Sequence, residues 1–499
     1  MLKKSLVNLN ENNMFKNIKT QLILVLFTSV LAISCLEDEG NYNYSEINEV
    51  KIEGLEEEYT VVRFDNFNIV PQLTNTLENN SADYSYKWQA VNPNDLDNKL
   101  IDLSEERDLQ EFIQLVPGNY TIFYTVKDLS TEIEFQYSFK LEVVNSIYEG
   151  WLVLNDINGG SRLDMISLIN GEYLTKHDIL SLSSSELTLE GAPEFVYTYS
   201  YDSNYYGIYV STSGNGTVKI EPNTFSWNSA LNISNEFIGS QPVDLKVDNL
   251  IAKNAYHAYT AVDGNIYYYY RVWNLRFSAP INSIGGVKFD ASPLIAQGSP
   301  FSNTIIYDNT NKRFLKTNYG TTSVMAEGNL FDFNTGKDLE YMVSSDYNGS
   351  YGAETFSILK DPADGKKYLA VFNVGTSFQS HYGEVIAPDF DQATCYAVSP
   401  DYGYLFYVAG SKVYEYDFSL GTTKLMLDKG SEEITLIKFH NFFSDYTYGE
   451  LQSQLIVCSY NGSEGTMELY NVPPVNGQIE LQTTYTGFGK IKSISYRER

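Results

Sequence analysis

The segment Trp151-Leu152-Val153-Leu154-Asn155-Asp156 begins a pattern that recurs to the end of the chain. It opens a unit of one apolar strand, a turn containing Gly, Asn or Asp, and a second strand, which is typical of a β-hairpin. Seven such units occur, and their starts lie 47 to 54 residues apart. They are Trp151–Leu168, Tyr205–Ile220, Ala258–Val272, Ile305–Asn318, Phe356–Val374, Leu405–Phe418 and Leu455–Val472.

A period of about 50 residues, with weaker strands between the hairpins, is typical of a β-propeller with four strands per blade. Solenoid repeats are shorter, and two separate sandwiches would not keep so even a spacing. We therefore predict an all-β fold in which residues 147–499 form a β-propeller with seven blades.

The end of the chain is expected to close this propeller. The segment Glu433–Phe439 precedes the last hairpin as an inner strand, and a similar segment, Lys490–Tyr496, ends the chain with no hairpin after it. The first hairpin, at Trp151, has no such strand before it. We predict that the C-terminal strand completes the first blade, because closure removes an exposed sheet edge.

Residues 46–146 carry a different pattern of short alternating strands. The segment Tyr84-Ser85-Tyr86-Lys87-Trp88 places its three aromatic residues on one face of a strand. About seven short strands with a tryptophan on a central strand predict an immunoglobulin-like β-sandwich. Trp88 is expected to fill the core of this sandwich rather than to bind a ligand, and the domain is interpreted as a rigid spacer.

Residues 1–34 have the parts of an export signal, namely a positively charged start, a short apolar run and a small residue before Cys35. The apolar run is too short to span a bilayer as a helix. Met14 is the expected true start, because the residues before it add nothing that a signal peptide needs. The segment ending at Cys35 resembles a bacterial lipobox, so we expect Cys35 to be lipidated and residues 35–45 to form an acidic tether. The alternatives are an ordinary secretory signal in which Cys35 is incidental, or a short core helix.

Several segments resemble the PKD-like family of Bacteroidetes lipoproteins: Gly40-Asn41-Tyr42-Asn43-Tyr44, Ile47–Val50, Trp88 and Gly118–Asp128. The resemblance implies a PKD-like domain after the lipid anchor, followed by a propeller-like domain. It also implies an accessory role beside SusC/SusD-type uptake systems. The acidic residues that follow Cys35 look like the surface-export signals of such lipoproteins, which implies the outer face of the outer membrane.

The charge balance excludes some classes of partner. The formal net charge is −29, and removal of a leader that carries +3 leaves about −32. So acidic a chain is not expected to bind nucleic acid, or anionic lipid headgroups through a basic patch. With Cys35 acylated, Cys395 and Cys458 remain in apolar runs and are expected to be buried thiols, although a disulfide between them stays possible from the sequence.

No catalytic spacing is present. The chain lacks H-E-x-x-H, G-x-S-x-G, the P-loop pattern and C-x-x-C. Asp361-Pro362-Ala363-Asp364-Gly365 has the look of a calcium turn but lacks the alternating ligands of an EF-hand, so a hairpin turn is expected. We predict no enzyme activity, no cofactor and no metal site.

Aromatic residues are the remaining candidates for binding. The run Tyr267–Trp273 is the densest aromatic stretch, and alternate tyrosines in a strand face opposite sides of the sheet. The alternative to ligand binding is that these rings have a structural role and fill the space between neighbouring blades. Tyrosines in polar, loop-like segments are equally plausible, because binding residues often lie on loops. The candidates are Tyr268, Tyr270, Trp273, Tyr351, Tyr382, Tyr446 and Tyr448.

The leading hypothesis, taken from the resemblance, is a non-catalytic surface lipoprotein that binds glycan or oligopeptide for a SusC/SusD-like outer-membrane transporter. Its partners would be outer-membrane lipid through Cys35, the transporter proteins and the nutrient ligand. Two alternatives stay open from the sequence. One is a purely structural subunit of such a complex, and the other is a propeller-fold hydrolase or lyase.

Overall fold

The computed structural model describes residues 48–77, 83–93, 99–199, 207–298, 303–348, 353–443 and 445–499. The predictions for the leader, Cys35, the tether and Tyr351 lie outside these residues. Two compact units are present. The smaller comprises residues up to Leu55 with Pro71–Ser85 and Thr125–Tyr137, and the larger comprises Glu56–Val70, Tyr86–Tyr124 and Ser138–Arg499.

Nine strands form the sandwich that precedes the propeller. They are β1 Val50–Glu53, β2 Glu58–Val62, β3 Asn66–Ile69, β4 Gln72–Asn75, β5 Tyr84–Val91, β6 Ile101–Ser104, β7 Leu109–Phe112, β8 Gly118–Asp128 and β9 Glu134–Val144. The main sheet has the order β2-β9-β8-β5-β6, and β1-β4 and β3-β7 form two short pairs. The β2–β9 pair is parallel and the other registered pairs are antiparallel.

Trp88 lies in the core of the sandwich, as predicted. Its side chain is fully buried, and its ring stacks on Tyr124 with centroids 4.0 Å apart. The indole N–H donates to the Glu106 carbonyl at 3.0 Å, so the one polar atom of this ring is satisfied. No face of Trp88 is open to a ligand.

The strands after the sandwich form a series of antiparallel sheets. The first group is β10 Gly150–Ile157, β11 Gly160–Ile169, β12 Glu172–Lys176, β13 Pro193–Tyr199, β14 Gly207–Thr212, β15 Gly216–Ile220, β16 Asn249–Ala252, β17 His257–Val262, β18 Asn265–Tyr270, β19 Ser283–Ile284, β20 Val287–Lys288, β21 Ala296–Gln297, β22 Thr304–Asp308, β23 Arg313–Asn318 and β24 Thr321–Val324. The second group is β25 Asp338–Ser345, β26 Glu354–Lys360, β27 Lys367–Asn373, β28 Gln379–Glu384, β29 Cys395–Val398, β30 Leu405–Ala409, β31 Lys412–Asp417, β32 Thr422–Asp428, β33 Glu433–Lys438, β34 Gln454–Tyr460, β35 Gly465–Asn471, β36 Glu480–Phe488 and β37 Lys490–Arg497.

Seven sheets of three or four strands are seen among the described residues, besides the short β19–β20 hairpin. Sheet 1 is β37-β10-β11-β12, sheet 2 is β13-β14-β15, sheet 3 is β16-β17-β18 and sheet 4 is β21-β22-β23-β24. Sheet 5 is β25-β26-β27-β28, sheet 6 is β29-β30-β31-β32 and sheet 7 is β33-β34-β35-β36. The sheets agree with the predicted all-β propeller; the blade number itself stays a prediction.

The expectation of four strands in every blade is not met by sheets 2 and 3. After β15 the chain forms two 3₁₀ turns, Ser229–Leu231 and Ile233–Glu236, instead of a fourth strand. Ile233 is buried there in the core between sheets 2 and 3, so the turns bury apolar surface without a ladder.

Apolar cores between consecutive sheets hold the propeller together. Leu152 of sheet 1 packs with Ile208 of sheet 2, and the same pattern continues from sheet to sheet. The last core joins Ile456 of sheet 7 to Trp151 and Tyr496 of sheet 1. The series of cores therefore closes on itself.

The C-terminal strand β37 forms the edge of sheet 1. It pairs antiparallel with β10 from Gly150↔Arg497 to Asp156↔Lys490, with one bulge after Leu154. Trp151 and Tyr496 are opposite each other, with ring centroids 4.9 Å apart. The last strand of the chain and the first hairpin of the repeat thus share one sheet.

Helix is a minor component. Helix α1 spans Ile179–Leu182 and helix α2 spans Asp445–Gln452. Within the described part of the chain, no helix combines the length and apolar character that crossing a bilayer requires. Cys395 is half-buried and Cys458 is buried, and both thiols are free. Asp361–Gly365 forms the turn between β26 and β27, which confirms the predicted hairpin.

Candidate functional site

Three of the candidate aromatic residues lie together at the junction of sheets 3 and 4. The register of β17 with β18 pairs His257 with Tyr270 and Tyr259 with Tyr268, so these side chains share one face of sheet 3. Tyr267 and Tyr269 face the other way and pack in the core toward sheet 2. Tyr268 packs against the core between sheets 3 and 4, so the interpretation of these rings as packing between blades holds for Tyr267, Tyr268 and Tyr269. Tyr270 belongs to neither core.

We call the group His257, Tyr268, Tyr270, Trp273 and Tyr319 the aromatic patch. The His257 ring is nearly parallel to Tyr270, with centroids 4.8 Å apart, and lies 4.6 Å from Tyr319. Its Nδ1 is 2.5 Å from the Tyr268 hydroxyl. Trp273 meets the Tyr270 ring edge-to-face at 5.2 Å. Each ring of the patch therefore contacts at least one other ring of the patch.

The outer rings of the patch are open to solvent. Trp273 is 72% exposed and Tyr319 is 42% exposed. Tyr319 has a left-handed backbone (φ 46°) and is followed by Gly320 (φ 87°), and this tight turn brings its ring onto His257. A Cβ at position 320 would lie 3.2 Å from the Tyr268 ring, which is a tight contact and a second reason why glycine suits this position.

A buried arginine holds the short helix Arg271–Trp273 in place. The Arg271 guanidinium lies 4.2 Å from the Tyr199 ring centroid and 4.8 Å from that of Tyr269. It donates to the Tyr209 hydroxyl at 2.9 Å and is 3.6 Å from a Glu236 carboxylate oxygen. Trp273 therefore projects from a rigid base, because its neighbour Arg271 is fixed by charge and by stacking.

The His257 ring at the centre of the patch is uncharged near neutral pH. Burial, with a smaller contribution from the Lys253 ammonium, lowers the pKa of His257 below its usual value, so the imidazole is neutral at pH 7. Burial also lowers the pKa of Lys253, whose ammonium lies 5.4 Å from the Tyr319 ring centroid, to about 8. The rings are suited to a neutral ligand that packs on flat faces.

The remaining aromatic candidates are placed differently. Tyr382 lies in strand β28 rather than in a loop, and its ring stacks with Phe331 at 4.9 Å and with Tyr368 at 5.6 Å. The prediction of a loop around Tyr446 and Tyr448 is wrong, because these residues are in helix α2. Tyr448 is buried and its hydroxyl donates to Glu149 at 3.0 Å. The side chain of Tyr446 and all of Tyr351 lie outside the described residues.

A second concave feature lies where the innermost strands meet. A cavity of about 410 Å³ is lined by at least one residue from an edge strand of each of sheets 1 to 7. Each of these seven edge strands contributes a lining residue from its last three positions. These residues are Thr198, Ile251, Gln297, Val343, Val398, Lys438 and Ser495. The cavity therefore lies at the carboxyl ends of the innermost strands.

Lys438 and His440 are the notable polar groups of this cavity. The Lys438 ammonium donates to the Ile494 carbonyl at 3.3 Å, and burial lowers its pKa to about 8. His440 is 8% exposed, and burial followed by the Lys438 charge holds its pKa well below the usual value. Its Nε2 accepts from the Tyr496 N–H at 3.3 Å, so the proton of the neutral ring is on Nδ1.

The aromatic patch and the cavity are at the same end of the propeller. His257 follows the carboxyl end of β16, and Tyr270 ends β18, which runs in the same direction as β16. Tyr319 directly follows β23 and holds the matching position in sheet 4. Among the described residues no cluster of three or more His, Cys, Asp or Glu side chains is placed to hold a metal ion.

The sequence did not point to His257, Tyr319 or the cavity. Tyr319 comes from a different sheet than the run Tyr267–Trp273, and only the fold brings the two together. The sequence contains one indication of the cavity. Lys438 is a charged residue on an otherwise apolar face of the inner strand β33, and a charge at such a position is expected to face the centre of the propeller.

A sequence profile of the PKD-like family matches residues 35–193. The match begins at Cys35, covers the sandwich and extends through sheet 1 strands β10–β12 to the start of β13. No curated protein matches the chain by sequence. The predicted PKD-like character of the first part of the chain is therefore supported.

Solved structures with similar folds share little sequence with this chain. A quinonprotein alcohol dehydrogenase-like protein of Bacteroides thetaiotaomicron is 11% identical, covers 89% of this chain and 97% of its own, and has a TM-score of 0.47. A protein of Lactobacillus plantarum is 11% identical, with 70% and 100% covered and a TM-score of 0.43. PorZ, a surface component of the type IX secretion system of Porphyromonas gingivalis, is 10% identical, with 67% and 39% covered and a TM-score of 0.38. At these identities and scores we infer neither activity nor partner from them.

Proposed function

We propose that this chain is a non-catalytic cell-surface lipoprotein that binds glycan through the aromatic patch, as an accessory of a SusC/SusD-like outer-membrane uptake complex. The observation that carries the proposal is the exposed Trp273 ring, 72% open to solvent and fixed beside Tyr270 above the buried Arg271. Trp273 does not stand alone, because it continues a set of contacting rings that includes Tyr270, His257 and Tyr319.

Flat ring faces suit the C–H faces of sugars, and the neutral His257 leaves the stack without a charge that would have to be desolvated. Tryptophan and tyrosine also lose little conformational entropy when they are held in place by a ligand. A peptide would instead be expected to add a strand to a sheet edge. The patch offers ring faces, so we favour glycan over oligopeptide.

The surface location rests on the amino-terminal segment. The leader-like residues 1–34 end at a lipobox-like Cys35, and the PKD-like match begins at that residue.

The exposed tryptophan gives a direct test of the proposed binding. Replacing Trp273→Ala is expected to weaken binding of a soluble neutral polysaccharide at least tenfold, since a stacking ring is lost. Thermal stability should change little, because the side chain is mostly exposed. Calorimetric titration against β-glucan, xyloglucan, galactomannan and a peptide digest would measure this.

The control for this variant is Phe378→Ala, which removes a 65% exposed ring beside sheet 5. It should leave polysaccharide affinity unchanged. Binding to the peptide digest alone would move the proposal to an oligopeptide ligand. Equal affinities of wild type and Trp273→Ala for every polysaccharide would contradict a role for the patch.

The transporter partnership has its own test. Purification of the full-length protein from detergent-solubilised outer membranes is expected to bring down a barrel-type transporter. The Cys35→Ser variant, which cannot be acylated, should be lost from the membrane fraction and from the complex. Co-purification without any glycan affinity would favour a purely structural subunit.

A further inference from the structure

The central cavity contains the Lys438 ammonium, which makes no ion pair with a described carboxylate. Among the described residues, no carboxylate oxygen lies within 4.0 Å of the Lys438 ammonium, whose recorded hydrogen bond is to the Ile494 carbonyl. A cation in such a place is poorly solvated, because protein walls replace most of its water. An anion held in the cavity would compensate this charge.

The other charged groups of the cavity are engaged elsewhere. The Glu498 carboxylate accepts from the Phe443 N–H at 3.0 and 3.1 Å, and the Asp346 carboxylate accepts from the Gln452 amide at 3.2 Å. The remaining titratable groups that line the cavity or lie near Lys438 are His440, Cys458, Tyr197, Tyr341, Tyr396 and Tyr496. The pKa values of Cys458 and of these tyrosines are raised, by burial first, so they are uncharged at neutral pH.

Five further polar atoms on the cavity wall have no hydrogen-bond partner within the described protein. Three of them can donate: the His440 Nδ1–H and the hydroxyls of Thr198 and Ser344. Two can accept: the Oε1 atoms of Gln297 and Gln452. A polar ligand in the cavity would satisfy these five atoms.

We propose that the central cavity binds a small hydroxylated organic carboxylate of the sugar-acid type, with its carboxylate on Lys438. The set of one cation, three donors and two acceptors matches a carboxylate that also carries several hydroxyl groups. The volume of about 410 Å³ is within the range of small-molecule sites and accommodates a monosaccharide acid. This site is separate from the aromatic patch and does not depend on the function proposed for it.

The test compares D-glucuronate with D-glucose, which has the same ring but no carboxylate. Calorimetry on the full chain at pH 7 is expected to show binding of glucuronate and at least tenfold weaker binding of glucose. Lys438→Met should weaken glucuronate binding at least tenfold. The matched control Lys492→Met removes an exposed lysine of β37 that does not line the cavity, and it should bind like wild type.

The pH dependence gives a second readout that needs no variant. Because the pKa of Lys438 is about 8, the ammonium loses its proton as the pH rises through that value, and glucuronate affinity should fall accordingly. The Lys438→Met variant should fold, since it removes a charge without a counter-ion. If that variant does not fold, Ser344→Ala, with a partial loss of affinity, serves in its place together with the wild-type pH profile.

Three results would overturn the proposal. The first is no binding of glucuronate at 10 mM or below by wild type. The second is equal glucuronate affinity in wild type and Lys438→Met. The third is a loss of glucuronate binding in Trp273→Ala but not in Lys438→Met, which would place the acid on the aromatic patch instead.

Discussion

Removing residues Gly489–Arg499 is expected to unfold the propeller or to lower its thermal midpoint by well over 10 °C. The deletion takes away β37, the edge strand of sheet 1, and with it the buried Ile491, Ile494 and Tyr496. Each such side chain contributes about 1.5–3 kcal/mol by burial, and the total stability of a domain is only about 5–15 kcal/mol. The loss also exposes β10 as an unpaired edge next to an opened core.

The measurement is thermal and denaturant unfolding of the truncated chain, with limited proteolysis as a second probe. Lys492→Ala is the matched control on the same strand, because Lys492 is exposed, and it should stay within about 0.5 kcal/mol of wild type. A truncated protein with an unchanged thermal midpoint would show that closure by β37 does not stabilise the propeller.

The second large effect is expected from Arg271→Met. This change removes a buried cation that stacks on Tyr199 and Tyr269 and leaves the Glu236 carboxylate with a weaker partner. Breaking a buried ion pair costs about 3–5 kcal/mol, and we expect the low end because the Lys219 ammonium remains 3.8 Å from Glu236. Glycan affinity should fall as well, since the helix that presents Trp273 loses its anchor.

Chemical denaturation would measure the loss of stability, and Arg276→Met provides the control. Arg276 is exposed and donates to the Asn235 carbonyl at 2.9 Å, so its replacement should change the free energy of unfolding by less than about 1 kcal/mol. Equal stability of the Arg271 and Arg276 variants would contradict the anchoring role of Arg271.

Much of the fold could be predicted because its signals are local or periodic. The hairpins recur at nearly constant spacing, so the propeller pattern is readable without any long-range information. The pairing of Lys490–Tyr496 with the first hairpin could be inferred since this last strand had no hairpin of its own. The buried state of Trp88 followed from its position on a central strand.

Other features depended on packing and were missed. A fourth strand of sheet 2 was expected from the repeat period, yet the segment after β15 forms 3₁₀ turns that bury Ile233. The polar segment around Tyr448 was interpreted as a loop, but tertiary contacts with Glu149 and Arg499 hold it as a helix. Local composition does not report such contacts.

The candidate site was likewise predicted only in part from the sequence. The run Tyr267–Trp273 is notable for its density of aromatic residues, and alternation correctly placed Tyr268 and Tyr270 on the opposite face of β18 from Tyr267 and Tyr269. His257 and Tyr319 were not found, because sequence alone does not say which turn of a neighbouring sheet meets the run. The cavity as a whole could not be predicted, since seven separate strands must converge to form it and Lys438 was the one signal for it in the sequence.

The proposed role of Trp273 is tested most directly by its fluorescence. Of the four tryptophans, Trp88 and Trp151 are fully buried and Trp227 is half-buried, so Trp273 dominates quenching by a soluble quencher such as acrylamide. We predict that a bound neutral polysaccharide shields Trp273, shifts its emission and reduces quenching, and that Trp273→Phe loses this response. Saturable polysaccharide binding with no change in the emission or quenching of Trp273 would contradict the account.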